Sequence, residues 1–350
     1  MNSPNAEGSP AGGVDGAPRH RGPTMGDVAR VAGVSRPLVS IVMRDAPGAS
    51  AATRKRVLRI AREMGYVPDE RARKLRQNSS RLLGILFELQ QPFHGDVVEQ
   101  VYLAAAAHGY DLALSAVAPS RDEATAVESL IRERCDAIIV LGVKTHADDL
   151  QRFSARVPMV SVARRLKAPF LGIVRGDDKA GLRLAVEHLA GLGHQRIAHI
   201  DGADAPGSAD RRDSYRRNMR RLGLGDHIDV ISGGLTEADG ARGMGELLGR
   251  PEPPTAVIAF NDRCATGVLD LAARRGLSIP ARLSVMGYDD SRLARVPHVQ
   301  MSTVSQDAGE LAQEAVVLAL EQIAGQPPRE IVVTPRLVVR ETTAAPAIPG

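Results

Sequence analysis

A chain of 350 residues can bury a sizeable core and hold more than one domain, and with 5 Phe, 5 Tyr and no Trp that core must rest on Leu, Val, Ile and Ala. Its 2 cysteines, Cys135 and Cys264, lie far apart without His or Cys at ligand spacing, which argues against a disulfide framework and a zinc site and suits a reducing compartment. The net charge of +4 is unevenly spread: residues 24–81 hold 13 Lys/Arg and 5 Asp/Glu, and the remainder beyond them is slightly acidic.

Residues 1–23 are rich in Pro, Gly, Ser and Ala and lack the apolar stretch of a secretion signal, so they read as a disordered tail. No apolar run approaches the roughly 18 residues of a membrane span, and a soluble, cytoplasmic protein is expected. Thr24 is a good N-cap, with Asp27 placing negative charge in the first helical turn. Val28, Ala29, Val31 and Ala32 then repeat at helical spacing, and Gly33 can take the positive φ that ends a helix. Ser35 caps a second helix whose Pro37 falls in the first turn, where no backbone donor is required. Leu38, Val39 and Val42 supply its buried face. A third helix starts at Ser50 and stops at Gly65, and Tyr66-Val67-Pro68 continues as extended chain. Helix, Gly-containing turn, helix and supporting helix make a helix-turn-helix unit, whose second helix enters the major groove. The local charge of +8 over residues 24–81 is the matching electrostatic footprint of nucleic-acid binding.

The run "TMGDVARVAGVSRPLVSIVMRDAPGASAATRKRVLRIAREMGYVPDERARKLR", continuing through "SRLLGIL", resembles the DNA-binding head of the LacI/GalR family of bacterial transcriptional regulators. The resemblance implies a head over 24–68 that meets DNA through Thr24, Ser35, Ser40, Arg44, Ser50 and Tyr66. It also implies a hinge over 69–80, with a helix at 69–76 that orders on the operator. There Ala72 and Arg73 would touch DNA, and Leu75 would wedge into the minor groove, unstacking a base step and bending the duplex. Arg36 and Pro37 occupy the two positions that discriminate operators in the family. Arg36 can donate two hydrogen bonds to a guanine, whereas Pro37 offers only apolar contact. The sequence departs from the family at Val39-Ser40-Ile41, where Val-Ser-Arg is usual, and at Arg44 and Asp69, where Asn is common. Ile41 suits a thymine methyl better than a phosphate, so no relative's operator sequence carries over.

From Leu82 onward short apolar runs alternate with amphipathic helical patterns. "RLLGILFEL", "YDLALSAV", "CDAIIVLG", "VPMVSVA", "RIAHIDG", "AVIAFND" and "LSVMGYDD" read as strands, and "ATAVESLIRER", "KAGLRLAVEHLAGLG" and "RCATGVLDLAARRG" as helices. Near-continuous apolar strands alternating with helices mean parallel sheets covered on both faces, here too long for one unit. Ligands of such sheets sit beyond the carboxyl ends of the strands, which picks out Asp177, Asn261, Asp262, Asp289 and Asp290. For Asp262 and Asp290 a plain helix-capping role is expected.

"VEHLAGLGHQRIAHI", "AFNDRCATGVL", "LSVMGYDD", "STVSQD" and "PRLVVRETT" are similar to the LacI/GalR effector domain, itself similar to periplasmic sugar-binding proteins. The resemblance implies effector contacts from Arg211, four residues before Tyr215, and from Asn261, Asp289, Asp177 and Phe93. The resemblance puts His94 at the cleft mouth as a further effector contact, in Gln91-Pro92-Phe93-His94 where Asn-Pro-Phe-Phe is usual. A guanidinium fork, an amide and a carboxylate are the set needed to grip adjacent sugar hydroxyls.

The expected fold is an all-α helix-turn-helix head joined to an α/β periplasmic-binding-protein-like effector domain of two doubly wound lobes over 81–345. The resemblance implies an N-lobe of about 81–175 plus 307–328 and a C-lobe of about 178–304 plus 331–345, with crossings near 175–178, 304–308 and 330. The expected function is a repressor that binds a pseudo-palindromic operator DNA as a homodimer under control of a small carbohydrate effector, with no cofactor, metal or membrane partner. A periplasmic-type solute-binding protein without DNA function leaves the basic head unexplained and needs an export signal. An enzyme finds no GxxxxGK[ST], GxSxG or HExxH motif and no GxGxxG after a strand. Asp177 and Asp289 could form an acid/base pair, but binding clefts carry the same carboxylates without chemistry.

Overall fold

The computed structural model describes residues 23–66, 79–142 and 144–347. The expected tail, but for Pro23, and the expected hinge helix with Ala72, Arg73 and Leu75 lie outside the described residues. The chain forms two compact units, split between Gln77 and Asn78.

In the first unit, α1 (Met25–Ala32) opens with a capping box: Thr24 Oγ1 accepts from Asp27 N at 3.3 Å, and Asp27 Oδ2 accepts from Thr24 N at 3.0 Å. Gly33, at φ 62°, turns the chain. Ser35 caps α2 (Arg36–Met43) and Ser50 caps α3 (Ala51–Glu63). Val28, Ala29 and Ala32 meet Val39, Val42, Val57, Ile60 and Ala61 in a small core. Val31, expected in the apolar stripe, is 57% exposed; it stands off the face that residues 28, 29 and 32 share. Arg54 of α3 ties down the end of α2, donating to Asp45 Oδ1 at 2.6 Å, Ala46 O at 2.7 Å and Val42 O at 3.4 Å.

The second unit begins where Asp136 collects Ser79 Oγ, Ser80 N, Ser80 Oγ and Arg81 N, at 2.5–3.0 Å. β1 (Leu82–Glu88), α4 (Pro92–Ala107), β2 (Asp111–Val117), α5 (Glu123–Arg132), β3 (Ala137–Leu141), α6 (Ala147–Ser154), β4 (Met159–Val162) and β5 (Gly172–Gly176) follow. The chain then crosses at Asp177 into α7 (Asp178–Gly191), β6 (Ile197–Ile200), α8 (Ser208–Arg221), β7 (Asp229–Ile231), α9 (Glu237–Leu248) and β8 (Ala256–Ala259). That lobe continues through α10 (Asp262–Arg274), β9 (Ser284–Asp289) and β10 (Ser302–Ser305). A second crossing at 306–307 leads to α11 (Ala308–Ile323) and β11 (Glu330–Val333), and a third to β12 (Arg336–Val338).

The N-lobe sheet runs β11-β5-β4-β3-β1-β2, all parallel. The C-lobe sheet runs β12-β10-β9-β8-β6-β7, parallel except for the antiparallel edge strand β12. Both sheets carry apolar clusters on each face, as two-sided cover demands. One boundary is corrected. Residues 331–333, expected in the C-lobe, belong to the N-lobe: Ile331 pairs with Val174 and Val333 with Gly176, and Val333 is buried in that lobe's core. No helix among the described residues is long and apolar enough to cross a membrane.

Candidate functional site

On the head, Ser35 and the capping box fix where α2 starts, and its buried face then dictates which residues look outward. Arg36, Pro37 and Arg44 are exposed, and Ser40 and Ile41 half-buried beside them. Among the described residues Arg36 enters no ion pair, while Arg30, Arg54 and Arg59 are each held by an acid. Arg44 Nε donates to Ser40 O at 3.1 Å, and Ile41 lies against Gly48, 3.7 Å from where a Cβ there would stand. Thr24 and Ser50 are exposed and Tyr66 is half-buried.

In the second unit, the C-lobe residues gather at the carboxyl edge of its sheet. Arg211, in the first turn of α8, is 5% exposed, and its Cζ lies over Tyr288, 3.6 Å from the ring centroid, and over Phe260 at 4.5 Å. Its Nε donates to Asp178 Oδ1 at 2.7 Å and its Nη1 to Phe260 O at 2.6 Å. Burial opposes the charge, but Asp178 and its neighbours outweigh that and raise the pKa, so Arg211 stays cationic. Asp289 ends β9 with its Oδ1 accepting from Gln306 Nε2 at 2.6 Å. Desolvation lifts its carboxyl well above the usual range despite the pull of Arg211.

Two of the expected contacts also cap helices. Asn261 caps α10, accepting from Cys264 N at 2.7 Å and donating to Leu235 O at 3.4 Å. Asp177 caps α7 through Lys179 N and Ala180 N. The two acids expected to be caps cap no helix. Asp262, at 0% exposure, accepts from Ser291 N, Ser291 Oγ and Thr303 Oγ1, and burial raises its pKa to about 7. Asp290 caps nothing; it binds Arg340 Nη2 at 2.6 Å and lies 3.8 Å from Arg295 Nε.

The N-lobe side is set by the turn after β1. Phe93 is 7% exposed and packs into the lobe's core, leaving little surface for a ligand. His94 Nδ1 accepts from Glu88 N at 3.0 Å, which puts the ring proton on Nε2. Burial, reinforced by Lys144, lowers its pKa to about 4 and keeps it neutral. Nearby, a cavity of about 240 Å³ opens beyond β1, β2 and β3, with Leu86, Val117 and Leu141 in its wall and Glu88 and Lys144 among its polar groups. The lobes touch through contacts that no sequence pattern announced. Arg292 donates to Asp96 through N (2.9 Å) and Nε (2.9 Å), and Arg263 Nη1 donates to Gln90 O at 3.0 Å. Asp178 and Gln306 were likewise missed; Asp178 had one signal, its place beside Asp177 at a helix start.

Two family models match the chain: bacterial regulatory proteins of the lacI family over residues 24–69, and a periplasmic binding protein-like domain over 186–343. The chain is 33% identical over 309 residues to the HTH-type transcriptional repressor CytR of Escherichia coli K12, covering 87% of this chain and 90% of that one. A LacI transcriptional regulator from a Rhodococcus species matches with 59% identity and a TM-score of 0.75, over 75% of this chain and 98% of its own. The lac repressor dimer bound to operator and the anti-inducer ONPF matches with 28% identity and a TM-score of 0.80, over 93% and 100%. The named relatives are regulators rather than enzymes.

Proposed function

Because this chain belongs to the LacI family of bacterial regulatory proteins and is a transcriptional regulator, we propose that it acts in the cytoplasm as a homodimeric repressor on a pseudo-palindromic operator. The carrying observation is α2: it presents Arg36 to solvent without an ion-pair partner among the described residues, beside Pro37, at the front of a basic helix-turn-helix. A two-fold protein suits a two-fold site, and the operator-bound lac repressor dimer supports that arrangement. Arg36 then reads a base edge and the other cations hold phosphates.

The effector is a small polar ligand, a carbohydrate or sugar derivative, held between the lobes by Arg211, Asn261 and Asp289. Arg211 supports this assignment because its stacked, ion-paired guanidinium is fixed before any ligand arrives. Such a ligand alters DNA affinity only by preferring one lobe arrangement over the other.

Binding to operator fragments at rising salt tests the first half. With about six to ten phosphate contacts, affinity should fall roughly 10³- to 10⁵-fold between 50 and 200 mM; a salt-insensitive complex would refute it. A thermal-shift screen of carbohydrates and nucleosides tests the second half. If the best hit stabilised Asp289→Ala as fully as the native chain, the cleft would be misassigned.

A further inference from the structure

The end of β9 has an unusual backbone. Asp289 stands at φ 114° and Asp290 at φ 54°. Side-chain-bearing residues rarely adopt either value, and such a turn persists only where its surroundings impose it. Gln306 holds Asp289 and Arg340 holds Asp290, each at 2.6 Å. Behind them Asp262 grips the next residue. Its Oδ2 accepts from Ser291 N at 2.7 Å and Ser291 Oγ at 2.9 Å, and its Oδ1 from Thr303 Oγ1 on β10 at 2.6 Å.

Asp262 is fully buried and, among the described residues, has no cationic partner. A carboxyl group in that position is costly unless its bonds are worth making. The sequence clears room for it: a Cβ on Gly287 would stand 2.2 Å from Asp262 Oδ1, so only glycine fits there. Asp262 is also the first residue of α10, directly after Asn261. One side chain thus joins the strand end that carries Asp289, the helix start that carries Asn261, and β10, which leads into the second crossing.

We propose that Asp262 is the positioning residue of the effector cleft: it locks the 289–291 turn so that the Asp289 carboxyl and the Asn261 amide keep a fixed separation before any ligand binds. The inference rests on the reading of Asn261 and Asp289 as effector contacts. Asp262 itself touches no ligand.

The full chain carrying Asp262→Asn, Ser291→Ala, Thr303→Val or Asp289→Ala provides the test, read by backbone hydrogen exchange at 284–291, by melting temperature, and by calorimetry with D-ribose, D-galactose, cellobiose and cytidine as probes. Asparagine can accept from Ser291 and donate to the Thr303 hydroxyl, so Asp262→Asn should stay within about 3-fold of the native chain in exchange and binding. Ser291→Ala and Thr303→Val should each speed exchange at 289–291 by about 10-fold or more, leave β6 and β8 protected, and weaken whichever probe binds by a similar factor. Unchanged exchange at 289–291 in both Ser291→Ala and Thr303→Val, or a rise spread evenly over the sheet, would reduce Asp262 to a packing residue. If none of the four probes binds the native chain, the exchange result alone decides. Asp289→Ala separates the two claims. Should it bind a probe undiminished while Ser291→Ala still frees the turn, the effector assignment is wrong and the lock on the turn stands.

Discussion

Replacing Gly267 by alanine asks how tightly the C-lobe holds α10, the helix that Asn261 caps. A Cβ at 267 would stand 1.8 Å from Glu237 O and 2.6 Å from its carbonyl carbon. Those atoms are backbone of α9, so no rotamer change relieves the clash, and α9 and α10 must part by on the order of 1.5 Å. Overpacking of this kind costs roughly 1–3 kcal/mol or more, and alanine returns about 1 kcal/mol of helix propensity. Taking the upper end of the cost, a net loss of about 2 kcal/mol is expected. That corresponds to a melting temperature lower by about 4–8 °C for a domain of this size. The contact is reciprocal: a Cβ at Gly240 of α9 would stand 1.9 Å from Cys264 O of α10. Since the first substitution already separates the helices, the double variant should cost clearly less than the two singles combined. Urea denaturation followed by circular dichroism measures all three. A Gly267→Ala chain within about 0.5 kcal/mol of native, or strict additivity, would refute the reasoning.

Asp96→Asn should loosen the contact between the lobes. Because Arg292 is 60% exposed, the pair contributes at most about 1 kcal/mol, and the open population seen by spin labels on the two lobes should rise no more than roughly 5-fold; an unchanged distance distribution would mean that the pair holds nothing. Arg36→Ala should relax specificity at one base pair per half-site, at a cost of about 1–3 kcal/mol, whereas equal weakening on all sequences would make Arg36 a phosphate clamp. The pH dependence of stability should carry two opposing slopes. His199, fully buried, has its pKa lowered by that burial from 6.5 to about 4, so the unfolded chain binds the extra proton and stability falls as pH drops through that window. Asp262, raised by burial from 3.8 to about 7, keeps a proton that the unfolded chain has lost, so its share of stability falls as pH rises from about 4 to 7. Asp262→Asn should therefore gain on the native chain progressively over that range in denaturation curves, and a pH-independent difference would show that Asp262 does not titrate there.

The strands that could be read from the sequence are those whose four to seven residues are mostly apolar, because burial on both faces leaves an unbroken signal. β7, β10 and β12 were not read: "DVI", "STVS" and "RLV" are short or polar, and only their neighbours make them strands; β11, "EIVV", was missed despite its apolar residues. Helix starts were legible for a local reason, since Thr24, Ser35 and Ser50 bond three residues ahead. Site chemistry was less so. Arg211 meets Asp178 across 33 positions and Asp262 meets Thr303 across 41, and no local pattern records such a meeting. That is why Asp262 read as a cap while its neighbour Asn261 does the capping.

The threefold crossing also constrains how the chain can be made. β5 ends at Gly176, but its partner β11 starts only at Glu330, and α11, which shares a core with α4, comes just before it. On a ribosome adding roughly 5–20 residues per second, those intervening residues, about 150 of them, take on the order of ten to thirty seconds. Through that interval β5 offers an unpaired edge, and the apolar face beneath α11 stays bare, inviting strand pairing between nascent chains. A holding chaperone would find its target there. The lobe begun first is the one that waits longest for its last pieces.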